Sequence, residues 1–491
     1  MSTSLPWKPL PWPPLRGSPR ERSLPWSNSK PNKWPTTSLV RSVAPSVPCN
    51  VSPVPWSFGA EPKCNRASRS AAAPNAGGIF FPQRPLLQLD SHGYSPAVLH
   101  KIVTAGGLLK SFAGASQALT VLAEIHISER HVGRLTEEIG GELRQQRDAQ
   151  TALHRERKLG PQVANVPTLV AVEVDGGRLH TRSEGQGPGV HGPAWREDKV
   201  ACLQTLHGDS YAADPQPEPP PCFTAPDRVA ALAHGVQQRV PSEAETAEPT
   251  ATAMGAAAAT PAAAWQPQRL VRTCVATMQD SNVFGAMVAA EAQARNFYAA
   301  ARRAFLGDGQ KCNWTIQQRW FRDFVPIVDF IHVVSYVYAA AQALGATPVE
   351  CWDLYRHWLA AAWQGRVGEV IAALADWQER LGAVGAEEQP LADDPRLVVK
   401  RTRTYLMNNQ ERMHYPEYRR QGLPVTSALV ESLIKEFNYR VKGTEKFWNE
   451  SGAEDVLQVR AALLSDDERL EEHLANRPGS PYRRYARRPA A

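Results

Sequence analysis

Along this chain, hydrophobic and polar positions alternate in three regimes. Residues 1 to about 78 show no periodicity, and thirteen prolines fall within the first 60 residues. Proline removes amide donors and blocks both helices and central strands, so residues 1–78 are expected to form a disordered Pro/Trp-rich extension. From Ile79 apolar residues recur at helical spacing, with Val98, Ile102 and Val103 followed by Phe112, Ala115, Leu119 and Leu122. The stretch HISERHVGRLTEEIG then offers Ser128 as a helix cap, Glu129 in the first turn, and Val132, Leu135 and Ile139 as one apolar stripe. Residues 79–160 are therefore a helical region. Two short helices with Arg130, His131 and Arg134 facing outward suit a helix-turn-helix DNA reader; a plain bundle with a solvated charged face fits the same pattern.

Beyond about residue 161 the pattern turns to α/β. TLVAVEVDGG reads as a strand ending at Asp175, DKVACLQTLHG as a second strand and RLVRTCVATM as a third. The helix SNVFGAMVAAEAQARNFYAAA, the strand RRAFLGDG, the helix NWTIQQRWF and the strand PIVDFIHV complete the order βββαβαβ. A Pro/Ala-rich excursion over 208–266 holds too little apolar bulk to pack and is placed on the surface. The first part of the α/β unit thus covers 161–344. An all-helical insertion is expected over 345–424, where Trp352, Tyr355, Leu359 and Trp363 are spaced as a buried face. A further helix and the end of the core occupy 425–470, and 471–491 form a basic tail.

Composition narrows the function classes only slightly. With 55 Lys and Arg against 49 Asp and Glu, the formal charge is +6, which permits nucleic acid as a partner without requiring it. Seven dispersed cysteines without a C-x-x-C pair argue against a disulfide framework and a cysteine-rich zinc site. No stretch approaches the length of a membrane span, and the N-terminus lacks a secretory-signal layout, so a cytoplasmic protein is expected.

The candidate chemistry lies in carboxylates placed after apolar runs. Asp175 follows the first strand and Asp308 the fourth, while Glu431 stands on the late helix SALVESLIKEFNYRVKG. On that helix Glu431, Lys435, Asn438 and Lys442 share one face, and Val430, Ile434, Phe437 and Val441 make the apolar one. Hard divalent cations take oxygen ligands, so three converging acids suit phosphoryl transfer. An ordinary amphipathic helix would carry the same charges. Asp198 and Glu173 are further acids near the first strand, and Asp214 and Asp280 read as turn residues.

VEVDGGRL ending at Leu179, WREDKVACLQTL at 195–206, AFLGDGQ at 304–310, IVDFIHVVSYVYAAA at 327–341 and ESLIKEFNYRVKGTEKFW at 431–448 together resemble the DDE-type transposases of bacterial insertion sequences, with the ISKra-type group the nearest in look. The resemblance implies a ribonuclease-H-like catalytic core, βββαβαβ and then a helix, with an all-α insertion before the glutamate. It implies that Asp175, Asp308 and Glu431 hold two magnesium ions, for which manganese can substitute. It places the second acid in a DG-like turn, which selects Asp308 over Asp329. Asp329 and His332 then match an Asp-x-x-His element, either orienting a catalytic acid or pinning the insertion to the core. Lys435, Arg440 and Lys442, with Arg130 and Arg134, would contact DNA. The expected activity is metal-dependent cleavage of double-stranded DNA at terminal inverted repeats and strand transfer into target DNA, carried out by a homo-oligomer at the nucleoid. A nuclease without strand transfer and a decayed DNA-binding remnant are the alternatives.

Overall fold

In the computed structural model of the chain, the described residues are 71–72, 79–80, 92–182, 194–237, 265–385, 388–426, 428–443 and 446–477; side chains at 71–72, 79–80, 235–237 and 428–431 fall outside the description. Nearly all of the expected disordered extension, the Ala-rich end of the excursion and the terminal RRYARR lie outside the described residues.

Beyond a two-residue antiparallel pair, Ala71–Ala72 with Ile79–Phe80, three helices follow: α1 (Pro96–Leu108), α2 (Phe112–Ala123) and α3 (Glu129–Arg155). Each begins at a serine, Ser95, Ser111 or Ser128, whose hydroxyl accepts a backbone N–H of the first turn. Val132, Leu135 and Ile139 are fully buried, as the apolar stripe requires. The second member of the expected short-helix pair is instead 27 residues long. Its polar remainder packs lengthwise against the α/β unit, so it is not confined to a compact two-helix reader.

The α/β unit is a mixed fold built on a five-stranded sheet. Its strands are β1 (Leu169–His180), β2 (Trp195–His207), β3 (Gln268–Thr277), β4 (Arg302–Gly307) and β5 (Val325–Val328). The sheet order is β3-β2-β1-β4-β5, so the first and fourth strands are neighbours. β1–β2 and β2–β3 run antiparallel, whereas β1–β4 and β4–β5 are parallel and need crossover helices. Between β2 and β3 lies α4 (Pro226–Gln237); the two parallel crossovers are α5 (Ser281–Ala294) and α6 (Lys311–Trp320).

After β5 the chain is helical: α7 (Phe330–Leu344), α8 (Pro348–Trp363), α9 (Val367–Leu381), α10 (Pro395–Asn409), α11 (Tyr415–Arg420), α12 (Ala428–Val441), α13 (Glu450–Leu463) and α14 (Arg469–Ala475). One core joins the sheet to α5–α8, including Val172, Phe305, Phe330 and Trp363. A second packs Val200, Cys202 and Cys274 of the other face beneath Leu433, Phe437 and Val456 of α12 and α13. A third joins α1–α3 to Val459, Leu470 and Leu474 near the C-terminal end.

Two expectations of the sequence are corrected here. β1 does not end at Asp175 but continues through Gly176 and Gly177 to His180, because β2 keeps pairing with it to Trp195. The first half of the 208–266 excursion is also packed rather than superficial. Val229 is fully buried, Tyr355 Oη donates to Phe223 O at 2.8 Å, and Trp363 Nε1 donates to Gln216 O at 2.9 Å. Asp214 turns its chain by accepting the Gln216 amide, as expected of a turn residue, and it also binds the buried Arg419, with Nε at 2.8 Å. A few anchored aromatics and one ion pair thus replaced the apolar bulk that the composition lacks.

Candidate active site

The parallel ladder between β1 and β4 ends at Glu173 opposite Leu306. Asp175 and Asp308 each stand two residues past that last pair, where the strands part. Both line one cleft of about 310 Å³, counting space open to solvent, together with Glu197, Lys199, Gln310 and Asn313. Directly opposed strand residues share a face, and Asp175 opposes the buried Val200. The face that carries Glu173 and Asp175 is therefore the one that α12 covers.

Local chemistry fixes the Asp308 carboxylate. Its Oδ1 accepts the Gln310 backbone N–H and the Asn313 side-chain amide, both at 2.9 Å, and its Oδ2 accepts Gln310 Nε2 at 2.8 Å. These donors lie at the start of α6, where unpaired N–H groups favour an anion. Gly309 has φ +98°, a left-handed value, and a Cβ there would lie 2.6 Å from the Tyr405 ring. Glycine is required at this turn on both counts. Asp175 accepts its neighbour Gly176 N–H at 2.7 Å. Lys199 Nζ pairs with Glu197 Oε2 at 2.8 Å.

Asp329 and His332 sit beyond the end of β5. Asp329 caps α7, accepting the Ile331 amide at 3.1 Å and His332 Nδ1 at 2.8 Å, and it is fully buried. The strand stops at Val328 because this cap starts a helix; the apolar Ile331, Val333 and Val334 that resembled strand belong to α7. Burial alone would depress the His332 imidazole. The bond and charge of Asp329, with the charges of Asp308 and Asp175, instead raise it to about 9.

Lys435 of α12 and Lys442, just past its end, are exposed, and Lys442 Nζ lies 5.7 Å from the Trp195 ring centre. Glu431 belongs to this helix, but its side chain lies outside the described residues. Arg440 does not join the exposed lysines. Its Nε donates to Gly106 O at 2.7 Å, its guanidinium lies between Phe112 and Trp448, and burial lowers it to about 10. It is one turn on from Phe437 and two from Leu433, hence on the buried face, and it ties α12 to α1. Arg130 and Arg134 on α3 are exposed.

Asp198 opposes Gly177 and is fully buried. Among the described residues, neither of its carboxylate oxygens has a hydrogen-bond partner outside its own backbone. Both oxygens and Asn438 Oδ1 crowd Gly177, 2.9–3.1 Å from where a Cβ would be. Burial, and secondarily the Glu197 charge, raises Asp198 to about 6 against the pull of Lys442 and Lys199.

The cleft's carboxylates are hard oxygen donors with spare lone pairs, suited to a magnesium ion held by one or two acids and a substrate phosphate. Among the described residues no group of three or more His, Cys, Asp or Glu is placed to hold a metal. Gln310 and Asn313 escaped the sequence reading, although an acid two residues before a helix start is a recognisable turn signal. Lys199 gave a weaker sign, and Tyr405, distant in sequence, gave none. No protein-family model matches this chain, and no curated protein does either.

Proposed function

We propose that this chain is a DDE-type transposase with a ribonuclease-H-like core, cutting and joining DNA at the ends of a mobile element. One observation carries the reading: Asp175 and Asp308, remote in sequence, line one cleft just past the point where two adjacent parallel strands part. The strand order, with three antiparallel-linked strands followed by two parallel ones, agrees with it. So does the helix α12, which covers the face of Asp175 and carries Glu431 on the same stripe as Lys435, Asn438 and Lys442.

In this reading Asp175 and Asp308, with Glu431, would hold the ions. Bound magnesium would lower the pKa of the attacking water or 3′-hydroxyl and offset charge on the leaving oxygen. The hydrogen bonds from Gln310 and Asn313 keep the Asp308 carboxylate aimed before substrate arrives. Lys435 and Lys442 would lie along the phosphate backbone and make binding steeply salt dependent. Asp329 and His332 stand behind the two acids as a charged, hydrogen-bonded support.

The test uses a duplex carrying the inverted repeat that flanks the gene, with a plasmid target. Parent protein with magnesium is expected to nick at the repeat end and join it to the plasmid. Asp175→Ala, Asp308→Ala and Glu431→Ala each should lose at least about a hundredfold in rate, the scale of losing a catalytic group. Asp329→Asn should retain measurable cleavage. Nicking without joined product would make the protein a nuclease, and full activity in Asp308→Ala would remove that residue from the site.

A further inference from the structure

The Asp308 turn is gripped from two sides. On one side, the start of α6 holds its carboxylate. On the other, α10 reaches over from the helical segment that follows β5. Tyr405 Oη donates to the backbone carbonyl of Asp308 at 3.0 Å. The Tyr405 ring stacks on Tyr336 of α7, with centroids 3.8 Å apart and planes 12° from parallel. Gly309 lies against the same ring, with no room for a side chain between them. One turn on, Asn409 Oδ1 accepts Trp314 Nε1 of α6 at 2.9 Å, so α10 also braces the helix whose first turn holds the carboxylate.

We propose that Tyr405 is a positioning residue for the second catalytic aspartate, through which α10 sets the Asp308 turn in its productive geometry. The inference rests on the transposase reading, because it assigns Asp308 to the chemistry. Tyr405 touches no reacting atom. The Asp308 carbonyl is rigidly joined to the Gly309 amide, so holding it fixes the 308–309 peptide plane, and with the carboxylate held from α6 this narrows the backbone torsions that aim the Asp308 side chain. Tyr336 limits where the ring can go, and Gly309 lets it come close.

Tyr405→Phe removes the donor and keeps the ring and its stack. In full-length protein, cleavage of the repeat duplex should fall by roughly ten- to a hundredfold in kcat, with duplex affinity unchanged. The magnesium concentration giving half-maximal rate should rise several-fold, a readout that a merely structural role would leave in place. Tyr336→Phe, which keeps the stack, should match the parent. If Tyr405→Phe does not fold, Gly309→Ala presses on the same ring from the turn and should give the same magnesium shift. Parent-like kcat and magnesium dependence in folded Tyr405→Phe overturn the inference while the transposase reading stands. A parent protein that never cuts the duplex overturns both.

Discussion

Two buried ionisable residues set stability against pH in separate windows. Asp198 is raised to about 6 from 3.8, so the folded state binds its proton more tightly than the unfolded chain. That contribution is fully present below pH 3.8 and lost as pH climbs through about 6. Above it the chain holds a buried carboxylate beside Asn438, with Glu197 opposing the charge and Lys199 and Lys442 favouring it. Asp198→Asn is therefore expected to flatten urea stability between pH 4 and 6 and to raise it at pH 7.5 by roughly 1–3 kcal/mol. His332 is raised to about 9, so its contribution is complete below about pH 6.5 and disappears through pH 9. His332→Gln should abolish the parent's decline in that upper window, and an unchanged decline would place it elsewhere. At this scale the sequence was partly legible. The glycine after Asp308 marked a tight turn, whereas Asp329 and His332 were read within a strand that stops before them at Val328. Arg440 was misread because its charge outweighed its spacing, since seven residues past Leu433 it belongs to the buried face. The burial of Asp198 depends on α12 closing over β2, which no local pattern announces.

Helices and strands were easier to foresee than their ends. The five strands and their order along the chain follow from apolar runs punctuated by turn residues. The end of β1 does not, because its last residues are held by cross-strand pairing with Trp195–Lys199 and not by their own composition. The charged pattern carries α3 to near Arg157, close to its observed end at Arg155, although its second half has few apolar residues and is held by small-residue contact and ion pairs. Gly140 of α3 meets α13 so closely that a Cβ would overlap the Asp455 carbonyl. Alanine is the better helix former by roughly 1 kcal/mol, so propensity alone predicts that Gly140→Ala stabilises. Backbone on the opposing helix cannot yield as a flexible side chain can, and the packing cost should prevail. Gly140→Ala is expected to lose about 1–3 kcal/mol in urea unfolding. A stabilised variant would mean that α3 and α13 are not held this closely.

Across the whole molecule, an early helix and a late one are joined around one buried acid. Glu454 of α13 accepts from Thr277 Oγ1 at 2.7 Å and from the Met278 amide at 2.8 Å, both at the end of β3, and pairs with Arg147 of α3 at 2.7 Å. Arg147 also donates to Ala276 O at 3.3 Å. A sheet edge, an early helix and a late helix thus depend on one carboxylate that is almost wholly out of water. The sequence shows only an acid within ESGAEDVLQVR, indistinguishable from a solvated one, because its partners come from three distant segments. Removing one member of a buried, hydrogen-bonded ion pair strands the others, a loss of about 3–5 kcal/mol. Arg147 keeps Asp148 at 2.8 Å, so Glu454→Ala should fall toward the lower end. The mode of unfolding is the sharper measure. Because α1–α3 share their core with α13 and α14, the parent should unfold in one transition, with α3 amides exchanging hydrogen as slowly as those of β3. Glu454→Ala should raise exchange in α3 and in the last residues of β3 together. If α3 alone exchanged quickly in the parent, the N-terminal helices would be an independently opening unit, and Glu454 would bear only on the sheet.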